Sequence, residues 1–460
     1  MPLFLHNTLT RSADEFIPLV AGKAGLYVCG PTVYGRAHVG NLRSWIFSDT
    51  LRRVLQANDY TVTEVMNITD VGHLVGDGDE GVDKLQMAAD KVSKTAWDVA
   101  VEFTKLFVED IKRVNIEAPH VMPKATDHIA EQLALIEAME AKGFIYAIGD
   151  GIYFDTAKLP EYGQLSRQKN EDKEEGARVV VNAEKRSPSD FALWKFSPAG
   201  EQRHMEWESP WGKGFPGWHL ECSAMSEKYL GVPFDLHTGG VDHIAVHHEN
   251  EIAQTLAARG VLEANYWLHN EFMLIDGGKM SKSLGNVYSL DDLDLKSISP
   301  LAFRYFVLGA HYRTQINFTW EGAKAAQNAL NNLIDLARDW QKPSNADEVT
   351  MGKFMLAVNN DLDTPAALAV LWNFVNDNAV GSDVKAATVL KMDEVLGLAL
   401  EDVVARPVRV TEAAQKLLDE REVARIAKDW ERSDLLRDEL FGLGYAVEDK
   451  ATGQHLRERR

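Results

Sequence analysis

Apolar and polar residues alternate in recognisable blocks along the chain. The stretch Gly25 to Cys29, GLYVC, is apolar and stops at Gly30-Pro31, which reads as a buried strand ended by a breaker. A helical period starts near His38, with Leu42, Trp45, Ile46, Leu51 and Leu55 on one face, and the alternating run Thr61 to Ile68 predicts the next strand. Strand, helix, strand is the parallel unit of an open α/β sheet. Ligands of such sheets sit beyond the carboxyl ends of the strands, which directs attention to Cys29–Asn41 and to the chain from Thr69 onward.

The alternation breaks from about Met122 to Gly200. That stretch holds a helical pattern (His128 to Lys142), a hairpin-like strand (Gly151 to Asp155) and a charged run (Lys169 to Glu175), as expected of an insertion. Sheet-like runs return at Val232–Leu236 and Phe272–Ile275. From Trp320 the chain turns to Ala, Leu and Asn at helical spacing, broken at Lys342-Pro343-Ser344, and predicts a helical domain. After Ala405-Arg406-Pro407 a charged helix is expected over Thr411 to Phe441, followed by a basic end at Arg457, Arg459 and Arg460.

Length and composition narrow the class. The chain has 460 residues, 45% hydrophobic and 26% charged, which fits several folded domains and excludes a disordered or rod-like protein. A net charge of −20 argues against a polyanionic partner unless a local basic patch meets it. The start does not read as a signal peptide, and no apolar run is long enough to suggest a membrane span. The only cysteines, Cys29 and Cys222, lie far apart, which suits a reduced cytoplasmic protein.

Three constellations could carry chemistry. His38-Val39-Gly40-Asn41 opens a helix, where N–H groups favour an anion such as phosphate; a plain capping role is the alternative. Gly277-Gly278-Lys279-Met280-Ser281-Lys282-Ser283 puts two lysines on a glycine-rich loop after a strand, either a mobile clamp for phosphate charge or a solvated turn. If the segment from Asp242 to Glu251 is helical, His243, His247 and Glu251 form one stripe able to bind a metal, with Cys222 and Cys29 completing the sphere; surface histidines and inert cysteines are the alternative.

HVGN and KMSKS together resemble the paired signatures of class I aminoacyl-tRNA synthetases. The intervening CGPTVY (29–34), NITDV (67–71), DFALWK (190–195), PGWHLECSAMS (216–226) and HHENEIAQ (247–254) resemble the cysteinyl-tRNA synthetase family, from about residue 3 to the end. The resemblance implies an α/β Rossmann-like catalytic domain (1–121 and 203–265) interrupted by a connective peptide (122–202). It also implies a stem-contact region with the KMSKS loop (266–319), a helical bundle (320–404) and a small mixed α/β anticodon-binding domain (405–460).

The same resemblance implies one Zn²⁺ held by Cys29, Cys222, His247 and Glu251, with His243 and His248 as neighbours. It assigns ATP to His38, Gly40, Asn41, Asp242, Lys279 and Lys282, and catalysis to His38, Asn41, Lys279 and Lys282. Thr69 and Trp218 would contact the substrate, and Arg425, Trp430 and Asp434 the anticodon. The implied partners are L-cysteine, ATP with Mg²⁺, and tRNA(Cys), acted on by a monomer. Three departures stand out: Gly72-His73-Leu74 after NITDV, Ala245-Val246 before the histidine pair, and Leu456 where a tryptophan is usual.

The implied reaction has two steps, formation of cysteinyl-adenylate and transfer to a terminal ribose hydroxyl of tRNA. Positioning and charge stabilisation carry it, with no side-chain nucleophile. A mycothiol-type cysteine ligase would not need residues 405 to 460. A non-catalytic tRNA-binding paralogue would lack HVGN, KMSKS or a metal ligand, and a plain zinc hydrolase leaves KMSKS unexplained.

Overall fold

The computed structural model describes residues 1–72, 83–167, 182–197, 203–281, 284–408, 410–450 and 453–458. Its centre is a parallel four-stranded sheet in the order Ala264–Asn270, Phe234–Gly240, Lys23–Val28, Thr61–Met66. The apolar residues Leu26, Tyr27 and Val28 fill the middle of the sheet, buried on both faces, as parallel strands require. From Lys23–Val28 the chain crosses through the helix Val39–Ala57 to one neighbour, whereas the other neighbour, Phe234–Gly240, arrives much later in sequence. The order therefore reverses between Lys23–Val28 and Phe234–Gly240, and a crevice opens there at the carboxyl ends of the strands.

A second, antiparallel sheet is built from Ile145–Ile148, Gly151–Phe154, Phe191–Phe196 and Gly214–Pro216, with the helix Ile129–Ala141 beside it; its last strand lies beyond residue 202, where the inserted segment is expected to end. Its last strand runs through Gly217 into the helix Trp218–Leu230. A Cβ at Gly217 would stand 2.0 Å from the Ala192 carbonyl oxygen, so only glycine lets this helix start so close to the sheet. Helices Trp320–Arg338, Glu348–Val358, Thr364–Val375 and Ser382–Leu396 form the helical region that follows. The last unit is the helices Glu412–Ile426 and Trp430–Gly442 with the hairpin Tyr445–Lys450/Gly453–Glu458. Among the described residues, no helix is long and apolar enough to cross a membrane.

Several elements differ from the sequence reading. The charged helix expected over 411–441 is two helices: Lys428 takes φ +59°, and Asp429 caps the second helix by accepting from the Arg432 N–H. The strand read from Val232 begins only at Phe234, because Pro233 offers no N–H to the ladder. An N-terminal hairpin, Phe4–Asn7 with Ser12–Glu15, and the edge strand Ala264–Asn270 are additions. The charged run 169–175, His73, Leu74, Arg459 and Arg460 lie outside the described residues.

A buried ionic knot joins the helix Val39–Ala57, which packs on the parallel sheet, to the helical region. Arg304, fully covered, donates to Asp49 at 2.5 Å, to the Leu396 carbonyl at 2.7 Å and to the carbonyls of Val114 and Asn115 at 3.1 Å. Arg53 donates to the same Asp49 at 2.8 Å. Asp49→Ala leaves buried Arg304 without its carboxylate and Arg53 with only the Glu117 carboxylate, at 3.5 Å, which costs about 3–5 kcal/mol. We expect a clearly lower urea midpoint followed by tryptophan fluorescence; an unchanged midpoint would show that the backbone carbonyls suffice.

Candidate functional site

The crevice at the strand-order reversal is a cavity of about 410 Å³. One wall is the start of the helix Val39–Ala57. His38 is its N-cap: the Asn41 backbone N–H donates to His38 Nδ1 (3.2 Å) and the His38 N–H donates to Asn41 Oδ1 (3.3 Å), a reciprocal capping box. His38 and Asn41 are thus cap and third helical residue, and both roles read from the motif, capping and an open helix start, coexist. His38, Gly40 and Asn41 all line the cavity.

The glycine-rich loop lies against this helix start. The Val39 N–H donates to the Tyr288 carbonyl at 2.8 Å, and a Cβ at Gly40 would meet Met280 Cε at 3.2 Å, so the two signatures touch. Asn286 ties the loop to itself, accepting from the Ser281 N–H at 2.8 Å and donating to the Lys279 carbonyl at 3.1 Å. The Lys279 side chain is exposed; Lys282 lies outside the described residues.

The floor is a Cys/His/Glu cluster. Cys29 ends the central strand, Cys222 sits in the first turns of the helix Trp218–Leu230, and His247 and Glu251 share one face of the helix His247–Arg259. Their ligand atoms lie within 4.8 Å of one another. Glu251 Oε1 is buried and accepts no hydrogen bond, although His247 Nε2 is 3.0 Å away. That is how donors look when they converge on a common point. A second grouping shares Cys29 and Glu251 and adds His237 and His248.

His243 is not on the stripe foreseen for it. The helix starts at His247, and His243 belongs to a separate single turn, Val241–His243, although its ring still approaches that of His247 with centroids 5.0 Å apart. Around the cluster stand histidines that the sequence reading did not single out. His237 Nε2 is 2.9 Å from Glu251 Oε2, His219 shares a 2.9 Å hydrogen bond with His247, and His269 shares one of 2.7 Å with His248. His248 in turn meets Cys29 Sγ at 3.3 Å.

Burial pushes the Cys29 thiol up to about 11, and the hydrogen bond with Cys29, together with burial, raises Cys222 well above its usual range. Burial would raise the Glu251 carboxyl too, but His237 and His247 outweigh it and hold it well below the usual range. A soft cation entering here must displace thiol protons, the usual linkage of metal binding to deprotonation.

Trp218 stacks against His247 with ring centroids 4.6 Å apart and lines the cavity together with Thr69 and Asp242. Arg425, Trp430 and Asp434 stand apart from it on the last unit. Trp430 is exposed with the Arg425 guanidinium 5.8 Å from its ring; Arg425 pairs with Asp449 at 2.9 Å, and Asp434 with Arg437 at 3.2 Å. Leu456 packs half-buried against the small core of Ala414, Leu440 and Tyr445.

Comparison with known proteins adds the chemistry's context. Residues 15–328 match the family model described as tRNA synthetases class I (C) catalytic domain, and residues 409–457 match the cysteinyl-tRNA ligase anticodon binding domain. A cysteine–tRNA ligase of Burkholderia lata is 50% identical over 457 residues, covering 99% of this chain and 97% of the relative. One from Thermus thermophilus is 41% identical over 486 residues, covering 100% of both. Among solved structures, Mycobacterium tuberculosis methionyl-tRNA synthetase with methionyl-adenylate aligns with a TM-score of 0.57 at 16% identity, over 84% of this chain and 92% of that one. The Agrobacterium radiobacter LeuRS ternary complex aligns at 0.59 and 12% identity, over 84% and 85%. These structural likenesses carry the fold alone.

Proposed function

Since the chain belongs to the class I cysteinyl-tRNA synthetases, we propose that the cavity at the strand-order reversal is where cysteine and ATP react, with the role of each side chain as follows. The enzyme forms cysteinyl-adenylate from L-cysteine and ATP and charges tRNA(Cys). The cysteine carboxylate attacks the α-phosphate and pyrophosphate leaves; a terminal ribose hydroxyl of the tRNA then takes the cysteinyl group and AMP leaves.

The observation that carries the reading is the meeting of three features on one cavity: the HVGN helix start, the Met280 loop and the Cys/His/Glu cluster. His38 and Asn41 offer donors to the phosphates beside the open helix N-terminus, and Gly40 leaves room for the nucleotide. Lys279 and Lys282 close over the charge that grows on the phosphates in the transition state, alongside Mg²⁺ carried by ATP. Asp242 accepts from the nucleoside, and Trp218 and Thr69 bound the amino-acid pocket.

Cys29, Cys222, His247 and Glu251 suit Zn²⁺, because two thiolates, one imidazole and one carboxylate are borderline-soft ligands and Glu251 Oε1 is otherwise unsatisfied. His219, hydrogen-bonded to the other ring nitrogen of His247, and His237, on the other oxygen of Glu251, hold these ligands in orientation. When bound, zinc supplies a soft site for the substrate thiolate. Pyrophosphate exchange with each amino acid tests the whole reading: cysteine alone should support it, and exchange driven equally by serine would overturn it.

The terminal unit serves the anticodon. Trp430 presents an open ring face on which a base can stack, worth ~1–3 kcal/mol, with Arg425 and Asp434 beside it to read base edges. Trp430→Ala should weaken charging of tRNA(Cys) roughly 10- to 100-fold by the same measure and leave pyrophosphate exchange intact. Equal loss in both assays would assign Trp430 to folding.

A further inference from the structure

Behind the amino-acid pocket stands a buried acidic residue, Glu221. It precedes Cys222 in the helix Trp218–Leu230, so Trp218, Glu221 and Cys222 are i, i+3 and i+4 on one face of the first turn. Trp218 and Cys222 line the cavity, whereas Glu221 is fully covered and stands behind Thr69, whose Oγ1 donates to Glu221 Oε2 at 3.1 Å.

The hydroxyl of Thr69 is fixed from two sides. Its only proton goes to Glu221. One of its lone pairs takes the Asn67 Nδ2 donor at 2.9 Å, and the Asn67 amide is itself oriented by the Gly30 N–H, which donates to its Oδ1 at 2.8 Å. A hydroxyl so committed meets the cavity only as an acceptor. The neighbouring Asp70 is taken up elsewhere, accepting the N–H and hydroxyl of Thr126 at 2.9 and 2.7 Å.

We propose that Glu221 is a positioning residue for the α-ammonium group of the substrate, acting through Thr69. The inference rests on the reading of this cavity as the cysteine site. An ammonium group only donates, and the Thr69 hydroxyl is held so that it only accepts. Glu221, fully buried behind it, takes the Thr69 proton and so fixes which lone pair of that hydroxyl faces the cavity. One helical turn thereby anchors two ends of the amino acid: Cys222 belongs to the cluster facing the sulfur, and Glu221 sets the acceptor facing the nitrogen.

The test is made on the zinc-loaded, full-length enzyme with the variants Glu221→Gln and Thr69→Val. Pyrophosphate exchange gives KM for L-cysteine, and competition gives Ki for 3-mercaptopropionate, which keeps the thiol and carboxylate but has no ammonium group. Both variants should raise KM for cysteine roughly 10- to 100-fold, the usual worth of a hydrogen bond to a charged group, with Ki for 3-mercaptopropionate and zinc content unchanged. An unchanged KM in Glu221→Gln, or parallel weakening of both ligands, would overturn the proposal. Should Glu221→Gln lose its metal, Glu221→Asp, too short to reach the Thr69 hydroxyl, decides: a raised KM for cysteine with Ki for 3-mercaptopropionate unchanged upholds the proposal, and an unchanged KM overturns it. Wild-type exchange with cysteine separately checks the reading beneath it.

Discussion

Cys222→Ser is expected to emerge from purification without its metal and to lose adenylate formation by several orders of magnitude, while its far-ultraviolet circular dichroism stays that of the parent. Cysteine and serine differ by sulfur for oxygen, and a pocket that reads only size separates such near-isosteres by roughly 10²-fold. A thiolate ligand site separates them further, since a neutral hydroxyl is a poor ligand at neutral pH. Cobalt makes the difference visible: adding cysteine to the cobalt-loaded enzyme should raise a thiolate-to-metal charge-transfer band, and serine should not. Retained rejection of serine by several orders of magnitude in metal-free protein would sink this account. The Cys29–Cys222–His247–Glu251 geometry makes the outcome sharp, because the four donors are drawn from three separate elements that meet only in the fold.

The second large effect concerns the loop. Lys282→Ala should slow adenylate formation roughly 10²- to 10³-fold, the order seen when one donor to a developing negative charge is removed, with KM for cysteine unchanged. Lys279→Ala should act in the same direction. The reason is differential: a cation that meets phosphate charge only in the transition state changes kcat and leaves ground-state binding alone. A near-normal exchange rate, or a rise in KM with kcat intact, would remove the lysines from the chemistry.

Much of the fold is legible from local patterns. GLYVC before Gly-Pro, and the alternation from Thr61, announce two strands of the parallel sheet, and the switch-point rule then directs attention to Cys29 and His38. What escaped is set by contacts distant in sequence. The strand Ala264–Asn270 carries His269 and Asn270 at buried positions, so its pattern is not a plain apolar run; the hydrogen bond between His269 and His248 accounts for the histidine. His237 has no spacing that ties it to Cys222, His247 or Glu251, and although His219 stands three residues before Cys222 on one helix, its hydrogen bond to His247 is made by helix packing.

The stripe His243–His247–Glu251 shows the opposite error. The helical period does not run across Ala245-Val246, because the backbone there leaves the helix: Val246 has φ −135° and ψ −62°. The basic chain end was legible as charge but not as environment. Arg457 pairs with Asp335 at 2.8 Å and also with Glu448, so its charge is largely spent within the protein.

The capping box at His38 has a consequence for chemistry at the other side of the ring. Because Nδ1 accepts the Asn41 backbone N–H, the neutral imidazole must carry its proton on Nε2, and that nitrogen is a donor before any nucleotide arrives. Asn41 is constrained in the same way: its Oδ1 is taken by the His38 N–H, which leaves the amide NH₂ as the group turned outward. Folding the first helical turn therefore selects both the tautomer and the amide orientation that an anion needs. The cost of ordering these groups is met when the chain folds, so under the nucleotide-binding role proposed for them an incoming phosphate is spared it.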